Sequence, residues 1–297
     1  MPADQLKPED VANVRSLTLL AEQVVEGFQS GLHRSPHKGF SVEFKQHRQY
    51  VPGDELRFVD WKVFGKSDKF FIREYEEETN LRCTVLLDQS GSMAYKGRQS
   101  AVSKFEFGKH LTVCLGYLML QQQDAVGVIT FDDQVREQIP PRSRPAHLSS
   151  IVEVLNRIKP GADTDVAEAF KSAVPKIHKR GLVVILTDCF GDLAELMRSL
   201  AHLRFRKHEI VIFQILDRDE IEFPFTERSR FESLEPGLEP MTVDPIHLRE
   251  AYLEELRQFR EELRERCFNN RVDLVPVVTD RPYAEALAEY LAIRRAR

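Results

Sequence analysis

The chain has 297 residues and a formal net charge of −5, and 30% of its residues are charged. Acidic and basic side chains are interspersed, which argues against a nucleic-acid-binding surface. Its four cysteines form no C-x-x-C pair, and no run of about 18 apolar residues occurs, so neither a disulfide framework nor a membrane span is predicted. These features favour a protein of the reducing cytoplasm.

The order of predicted elements divides the chain at about residue 80. Residues 1–80 are predicted to be an N-terminal extension that contains a helix and an irregular or β segment. Strands and helices then alternate, and the elements predicted first are a strand Cys83–Asp88, a helix Arg98–Gln122, a strand Ala125–Phe131 and a short edge strand Gln134–Ile139 that stops before Pro140 and Pro141.

The second half continues the alternation. It is predicted to contain helices at 146–158 and 165–180, a strand Gly181–Asp188, a helix Asp192–Lys207, a strand Glu209–Asp217, a long helix capped by Asp244 with Pro245 in its first turn, a strand Val272–Val278 and a helix Tyr283–Ile293. Residues 218–243 break the pattern and indicate a hairpin or loop insertion. The prediction is an α/β domain over residues 81–297 with a doubly wound, mainly parallel, Rossmann-like sheet.

The first strong strand ends in a motif that suits a metal ion. Asp88, Ser90 and Ser92 form D-x-S-x-S directly after the apolar run. One carboxylate and two hydroxyls in a single turn are oxygen ligands of the kind that a hard divalent cation such as Mg²⁺ prefers.

Two further oxygen-bearing residues are predicted to lie at the same edge of the sheet. Asp188 ends the third strong strand, and Thr164 lies in a loop just before a helix. Ligands of parallel α/β sheets gather outside the carboxyl ends of the strands, so these residues are predicted to join Asp88, Ser90 and Ser92. Each residue alone is better explained by a structural role, a cap or a turn, and only the set of five favours a metal site.

The set resembles the metal-ion-dependent adhesion site of von Willebrand factor A domains. The resemblance implies that Ser90, Ser92 and Thr164 contact the cation directly, while Asp88 and Asp188 balance its charge directly or through water. It also implies an open coordination position for an acidic side chain of a partner, with Mg²⁺, or else Mn²⁺ or Ca²⁺, as the cation. Cys189 departs from the pattern, since many such domains have glycine after the second acid.

A second pattern precedes the first strong strand. It comprises Gly39, Glu43, Phe44, Arg48, Tyr50, Pro52, Gly53, Asp54, Arg57, Asp60 and Trp61. The pattern resembles the bacterial family known as domain of unknown function 58 (DUF58), in which such a stretch precedes a von Willebrand A-like domain. The resemblance implies a MoxR-type AAA+ ATPase, or a client protein, as the partner, in chaperone-like maturation or metal insertion. Many members carry N-terminal membrane helices, and this chain resembles the members without them.

Three functions are compatible with this sequence. The leading hypothesis is a non-enzymatic interaction module that binds a cation. A metal-dependent phosphohydrolase is the alternative, but the second acid of an aspartyl-nucleophile phosphatase would stand where Ser90 is, and no phosphate loop or nucleophile elbow is present. A structural protein with a vestigial metal site is the third.

Overall fold

A computed structural model describes residues 16–33, 47–49, 70–73, 81–161, 170, 172–231, 234 and 241–295. The helices are α1 (Leu17–His33), α2 (Lys104–Gln121), α3 (His147–Arg157), α4 (Leu193–Phe205), α5 (Arg218–Glu222), α6 (Pro245–Asn269) and α7 (Tyr283–Arg295). The strands are β1 (His47–Gln49), β2 (Phe71–Arg73), β3 (Arg82–Asp88), β4 (Ala125–Phe131), β5 (Val135–Arg142), β6 (Leu182–Thr187), β7 (Glu209–Leu216), β8 (Ser229–Phe231), β9 (Met241–Val243) and β10 (Asp273–Val278).

A six-stranded sheet in the order β10-β7-β6-β3-β4-β5 organises the larger part of the described chain. All neighbouring strands are parallel except β4 and β5, which are antiparallel. The predicted α/β fold with a doubly wound, mainly parallel sheet is therefore confirmed. β3 lies between β6 and β4, so the residues that follow these three strands meet at one edge of the sheet.

Both faces of β3 are covered, which explains its continuous apolar sequence. Leu86 belongs to a core that also contains buried side chains of α4 and α6. Leu87 points to the other face, where Gly108 allows α2 to approach so closely that an added Cβ would lie 2.8 Å from Leu87 Cδ1. Helix α2 is buried on most of its circumference.

The start of α2 differs from the prediction. The helix begins at Lys104 rather than Arg98, and Ser103 caps it by accepting a hydrogen bond from Glu106 N at 3.1 Å. The residues before Ser103 are bound instead to the residue that follows β7, since Gly97 N donates to Asp217 Oδ2 at 3.0 Å. This contact joins residues 120 positions apart, so no local pattern could indicate it.

The prediction that the edge strand stops before the two prolines is wrong. β5 continues through Pro140 and Pro141 to Arg142, with irregular register against β4. An edge strand tolerates proline because one row of its backbone N–H groups pairs with no neighbouring strand. Gly127 in β4 makes room for these prolines, since an added Cβ would lie 2.6 Å from Pro141 N.

The predicted helix at 165–180 ends early. Phe170, Ser172 and Ala173 are helical, and a short 3₁₀ turn, Val174–Lys176, then ends the element, while residues 162–169 and 171 lie outside the described part. The other predicted elements agree to within about two residues. Asp244 caps α6 as expected, with its side chain accepting from Ile246 N at 3.1 Å.

Two compact units make up the chain, one formed by residues 1–31 and 81–297 and the other by residues 32–80. The smaller unit ends at residue 80, and most of α1 belongs with the larger unit. In that unit, Tyr117 of α2 donates a 3.2 Å hydrogen bond to Glu26 of α1. β1 and β2 of the smaller unit pair antiparallel, and most of the sequence pattern that ends at Trp61 lies outside the described residues.

The segment 218–243, predicted as an insertion, contains the short helix α5 and the antiparallel pair β8 and β9. Among the described helices, none has the length and apolar character needed to cross a membrane.

Candidate metal centre

Asp88 is the last residue of the central strand β3 and is fully buried. Its Oδ1 accepts a hydrogen bond from Ser90 N at 2.8 Å, and its Oδ2 accepts one from the Thr187 hydroxyl at 2.6 Å. Burial, together with the nearby charge of Asp188, raises the pKa of Asp88 to about 7 despite these hydrogen bonds. A positive charge beside Asp88 would stabilise its ionised form.

The two serines of D-x-S-x-S turn towards each other in the loop after β3. Ser90 has an extended backbone, and a single 3₁₀ turn, Gly91–Ala94, follows it. The Ser90 and Ser92 hydroxyl oxygens are 3.2 Å apart. Ser90 is fully buried, whereas Ser92 is partly exposed, so Ser92 forms the accessible side of the cluster.

Asp188 follows β6, the strand beside β3, and is also buried. Its Oδ1 accepts from Phe190 N at 3.1 Å, and its Oδ2 accepts from Lys104 Nζ at 2.8 Å.

The residue after Asp188, Cys189, has a φ of 64°, in the left-handed region that favours glycine. Cys189 N donates to the Thr187 hydroxyl at 3.0 Å. The loop thus adopts a glycine-like conformation although its residue is cysteine.

Thr164 lies outside the described residues, so its predicted place in the cluster stays a prediction. The last described residue before it, Gly161, donates its N–H to the backbone oxygen of Gln89 at 2.5 Å. The loop that contains Thr164 therefore starts against the D-x-S-x-S turn.

Lys104 and Glu220 also belong to this region but are not among the predicted site residues. Lys104 is the first residue of α2 and is completely buried, and its Nζ lies 2.8 Å from Asp188 Oδ2 and 2.6 Å from Glu220 Oε1. Burial alone would lower the pKa of Lys104, but the two carboxylates outweigh it and hold that pKa above its usual value. The ring of Phe190 also lies against the ammonium, with its centroid 5.1 Å away.

One signal in the sequence could have indicated Lys104. A lysine in the first turn of a helix is opposed by the helix dipole, which favours acidic residues there. A predicted helix start at Ser103 would have shown this conflict. No feature of the sequence indicates Thr187, because its hydrogen bond to Asp88 depends on the pairing of β6 with β3.

The donor set fits a hard divalent cation. Asp88, Ser90, Ser92 and Asp188 offer only oxygen atoms, and an ionised carboxylate oxygen that accepts one hydrogen bond keeps a lone pair for a cation or its water. In the described part of the chain, no three His, Cys, Asp or Glu side chains come together as a metal site. A cation here would therefore be held by two carboxylates together with hydroxyl groups.

Comparison with known proteins identifies the family. The family described as "Protein of unknown function DUF58" matches residues 46–262, which is most of the chain. The chain belongs to the DUF58 family. Relatives of this DUF58 protein include the uncharacterized proteins Rv1480 of Mycobacterium tuberculosis and Mb1516 of Mycobacterium bovis. Each is 22% identical over 292 residues, which cover 97% of this chain and 90% of the relative.

Solved structures similar to this DUF58 protein include two with low sequence identity. The conserved hypothetical protein BatB from Bacteroides thetaiotaomicron is 15% identical, with a TM-score of 0.49, and the match covers 72% of this chain and 98% of BatB. The VWA domain of SpRpn10 is 11% identical, with a TM-score of 0.42, and the match covers 70% of this chain and 95% of that domain.

Proposed function

We propose that this DUF58 protein is a non-enzymatic protein-interaction module whose contact site contains a divalent cation, Mg²⁺ or else Mn²⁺ or Ca²⁺. Asp88, Ser90, Ser92 and Asp188, with Thr164 from the adjoining loop, would hold the cation. The observation that carries the proposal is the meeting of Asp88 and Asp188 at the ends of paired strands, beside two serine hydroxyls 3.2 Å apart.

The buried and the partly exposed residues of the site would have different roles. Asp88 and Asp188 are buried and supply negative charge, while the partly exposed Ser92 borders the side from which a partner can approach. A bound cation would supply an open coordination position for an acidic side chain of the partner. Because the two buried carboxylates already balance the divalent charge, the partner's carboxylate would bind by direct coordination to the cation at this open position.

A MoxR-type AAA+ ATPase, or a client protein of that ATPase, is the partner that we propose, acting with this protein in the cytoplasm in chaperone-like maturation or metal insertion. Membership of the DUF58 family supports this choice. An acidic side chain on the partner is the chemical requirement, because a carboxylate oxygen is the type of ligand that Mg²⁺ accepts.

One observation favours a second candidate, a structural protein with a vestigial metal site. The buried ammonium of Lys104 already pairs with Asp188, so part of the negative charge is compensated from within the protein. In that case divalent cations would leave the melting temperature unchanged, because only a ligand that binds the folded state stabilises it.

Binding of the purified MoxR-type ATPase from the same organism, measured with and without chelator, tests the proposal. We expect retention in Mg²⁺, loss in EDTA and recovery when Mg²⁺ is restored. Ser92→Ala should weaken retention by about tenfold, whereas Ser149→Ala, an exposed serine of α3, should not change it. Retention that is unaffected by EDTA, by Ser92→Ala and by Asp88→Asn would refute the proposal.

A further inference from the structure

The positively charged side chain of Lys104 lies beside the candidate metal centre. The Lys104 side chain is fully buried between Asp188, which is 1% exposed, and Glu220, which is 14% exposed. Both N–O distances are below 3 Å, as expected for charge-assisted hydrogen bonds. Lys104 therefore contacts one proposed metal ligand and one acid outside the proposed ligand set.

Glu220 is held in place by a second contact. Its Oε2 accepts a hydrogen bond from Asp217 N at 2.7 Å, while the Asp217 side chain accepts from Asp219 N at 2.9 Å, and these groups form the capping box of α5. One oxygen of Glu220 thus caps a helix, and the other binds Lys104. This arrangement fixes the carboxylate at the ammonium.

The charges of Asp88, Asp188, Glu220 and Lys104 determine how strongly the metal centre attracts a cation. The three carboxylates of Asp88, Asp188 and Glu220 and the single ammonium of Lys104, each counted in its ionised form, together carry two negative charges, which match one divalent cation. Without Glu220, the remaining three groups would carry one negative charge. Without Lys104, Asp188 would lose its internal counter-ion. Buried charges of this kind interact strongly because little water screens them.

We infer that Lys104 and Glu220 form a charge-setting pair that determines the affinity of the metal centre for a divalent cation. Lys104 lowers the affinity by binding Asp188, and Glu220 raises it by neutralising Lys104. Neither residue is a proposed ligand. This inference rests on the proposed cation site and adds the residues that regulate it.

Calorimetric titration of the full chain, stripped with chelator, against MgCl₂ and MnCl₂ tests the inference. We expect Lys104→Met to bind about tenfold more tightly and Glu220→Gln about tenfold more weakly than the wild type. Lys104→Met/Glu220→Gln, which keeps the same net charge, should bind within about threefold of the wild type, because the two opposite charge effects then cancel.

Matched controls separate this effect from general changes in charge. Glu222→Gln removes one charge from an exposed side chain of α5, and Lys109→Met removes one from α2, and neither should change the affinity. Lys104→Met leaves the buried Asp188 and the partly buried Glu220 without their counter-ion, so its fold is checked by thermal melting. Glu220→Gln and the double variant test the inference even if Lys104→Met does not fold.

The possible outcomes separate the inference from the proposed function. Wild-type affinity in Glu220→Gln, or a double variant that binds as weakly as Glu220→Gln, overturns the inference alone. Binding by Lys104→Met but not by the wild type supports the inference and overturns the proposed function. A lack of divalent-cation binding in every variant overturns both.

Discussion

Thr187 donates a 2.6 Å hydrogen bond from its hydroxyl to Oδ2 of Asp88 and so joins the ends of two paired strands. The same hydroxyl accepts a hydrogen bond from Cys189 N, at the left-handed turn after Asp188. One side chain therefore orients one proposed ligand and the loop that carries the other.

Thr187→Val should weaken cation binding while keeping the shape of the side chain. The change removes both hydrogen bonds, and we expect the Mg²⁺ affinity to fall about tenfold, as for other residues that orient metal ligands. The free energy of unfolding should fall by roughly 1–3 kcal/mol. Calorimetry and urea denaturation measure the two effects, and Thr187→Ser, which keeps the hydroxyl, is the control. Wild-type affinity in the valine variant would show that Thr187 does not orient the site.

Gly127→Ala should destabilise the edge of the sheet. An added Cβ would lie 2.6 Å from Ile139 O and 2.6 Å from Pro141 N, and these backbone atoms of β5 cannot move aside easily. We expect a loss of roughly 1–3 kcal/mol in the free energy of unfolding, measured with urea.

Gly116→Ala is the matched control for this prediction. Its added Cβ would lie 3.6 Å from Leu148 Cδ1, an ordinary contact, and alanine is favoured over glycine in a helix by about 1 kcal/mol. Equal stability of the two alanine variants would contradict the role that we assign to Gly127.

His110 should make the protein less stable in mild acid. Burial, with a contribution from the charge of Lys109, lowers the pKa of His110 to about 4, from 6.5 for an ordinary histidine. Between these values the unfolded chain binds a proton that the folded protein excludes. The stability from this residue is therefore present above pH 6.5 and is lost as the pH falls towards 4.

The free energy of unfolding should fall by roughly 3 kcal/mol over this pH range for a side chain as buried as His110. Urea denaturation at pH 7.5 and pH 4.5, for the wild type and His110→Gln, measures it. The hydrogen bond between His110 Nδ1 and the Tyr283 hydroxyl, at 2.7 Å, contributes in the wild type at the higher pH. A wild type that loses no more stability than His110→Gln would contradict the prediction.

Most of the sheet could be predicted from the sequence because its four central strands are buried on both faces. The predicted strands Ala125–Phe131 and Gly181–Asp188 begin and end within one residue of β4 and β6. The alternation of these strands with helices is enough to predict a parallel sheet. Asp88 and Asp188 follow from the same pattern, because they stand where apolar runs end.

The remaining features depend on contacts that are distant in sequence. The start of α2 cannot be located from the sequence because Gly97 and Ser100 bind Asp217, which lies 120 and 117 residues further along the chain. Pro140 and Pro141 are usually strand breakers, and only the edge position of β5 makes them acceptable. Lys104 was missed because its partners, Asp188 and Glu220, lie 84 and 116 residues further along the chain.

A crystal structure of the protein grown or soaked with MnCl₂, analysed by anomalous scattering, tests the cation site most directly. We expect one anomalous peak among the oxygen atoms of Asp88, Ser90, Ser92 and Asp188, and its absence from crystals of Asp88→Asn prepared in the same way. Wild-type crystals without a peak at this position, with Lys104 still paired to Asp188, would contradict the account.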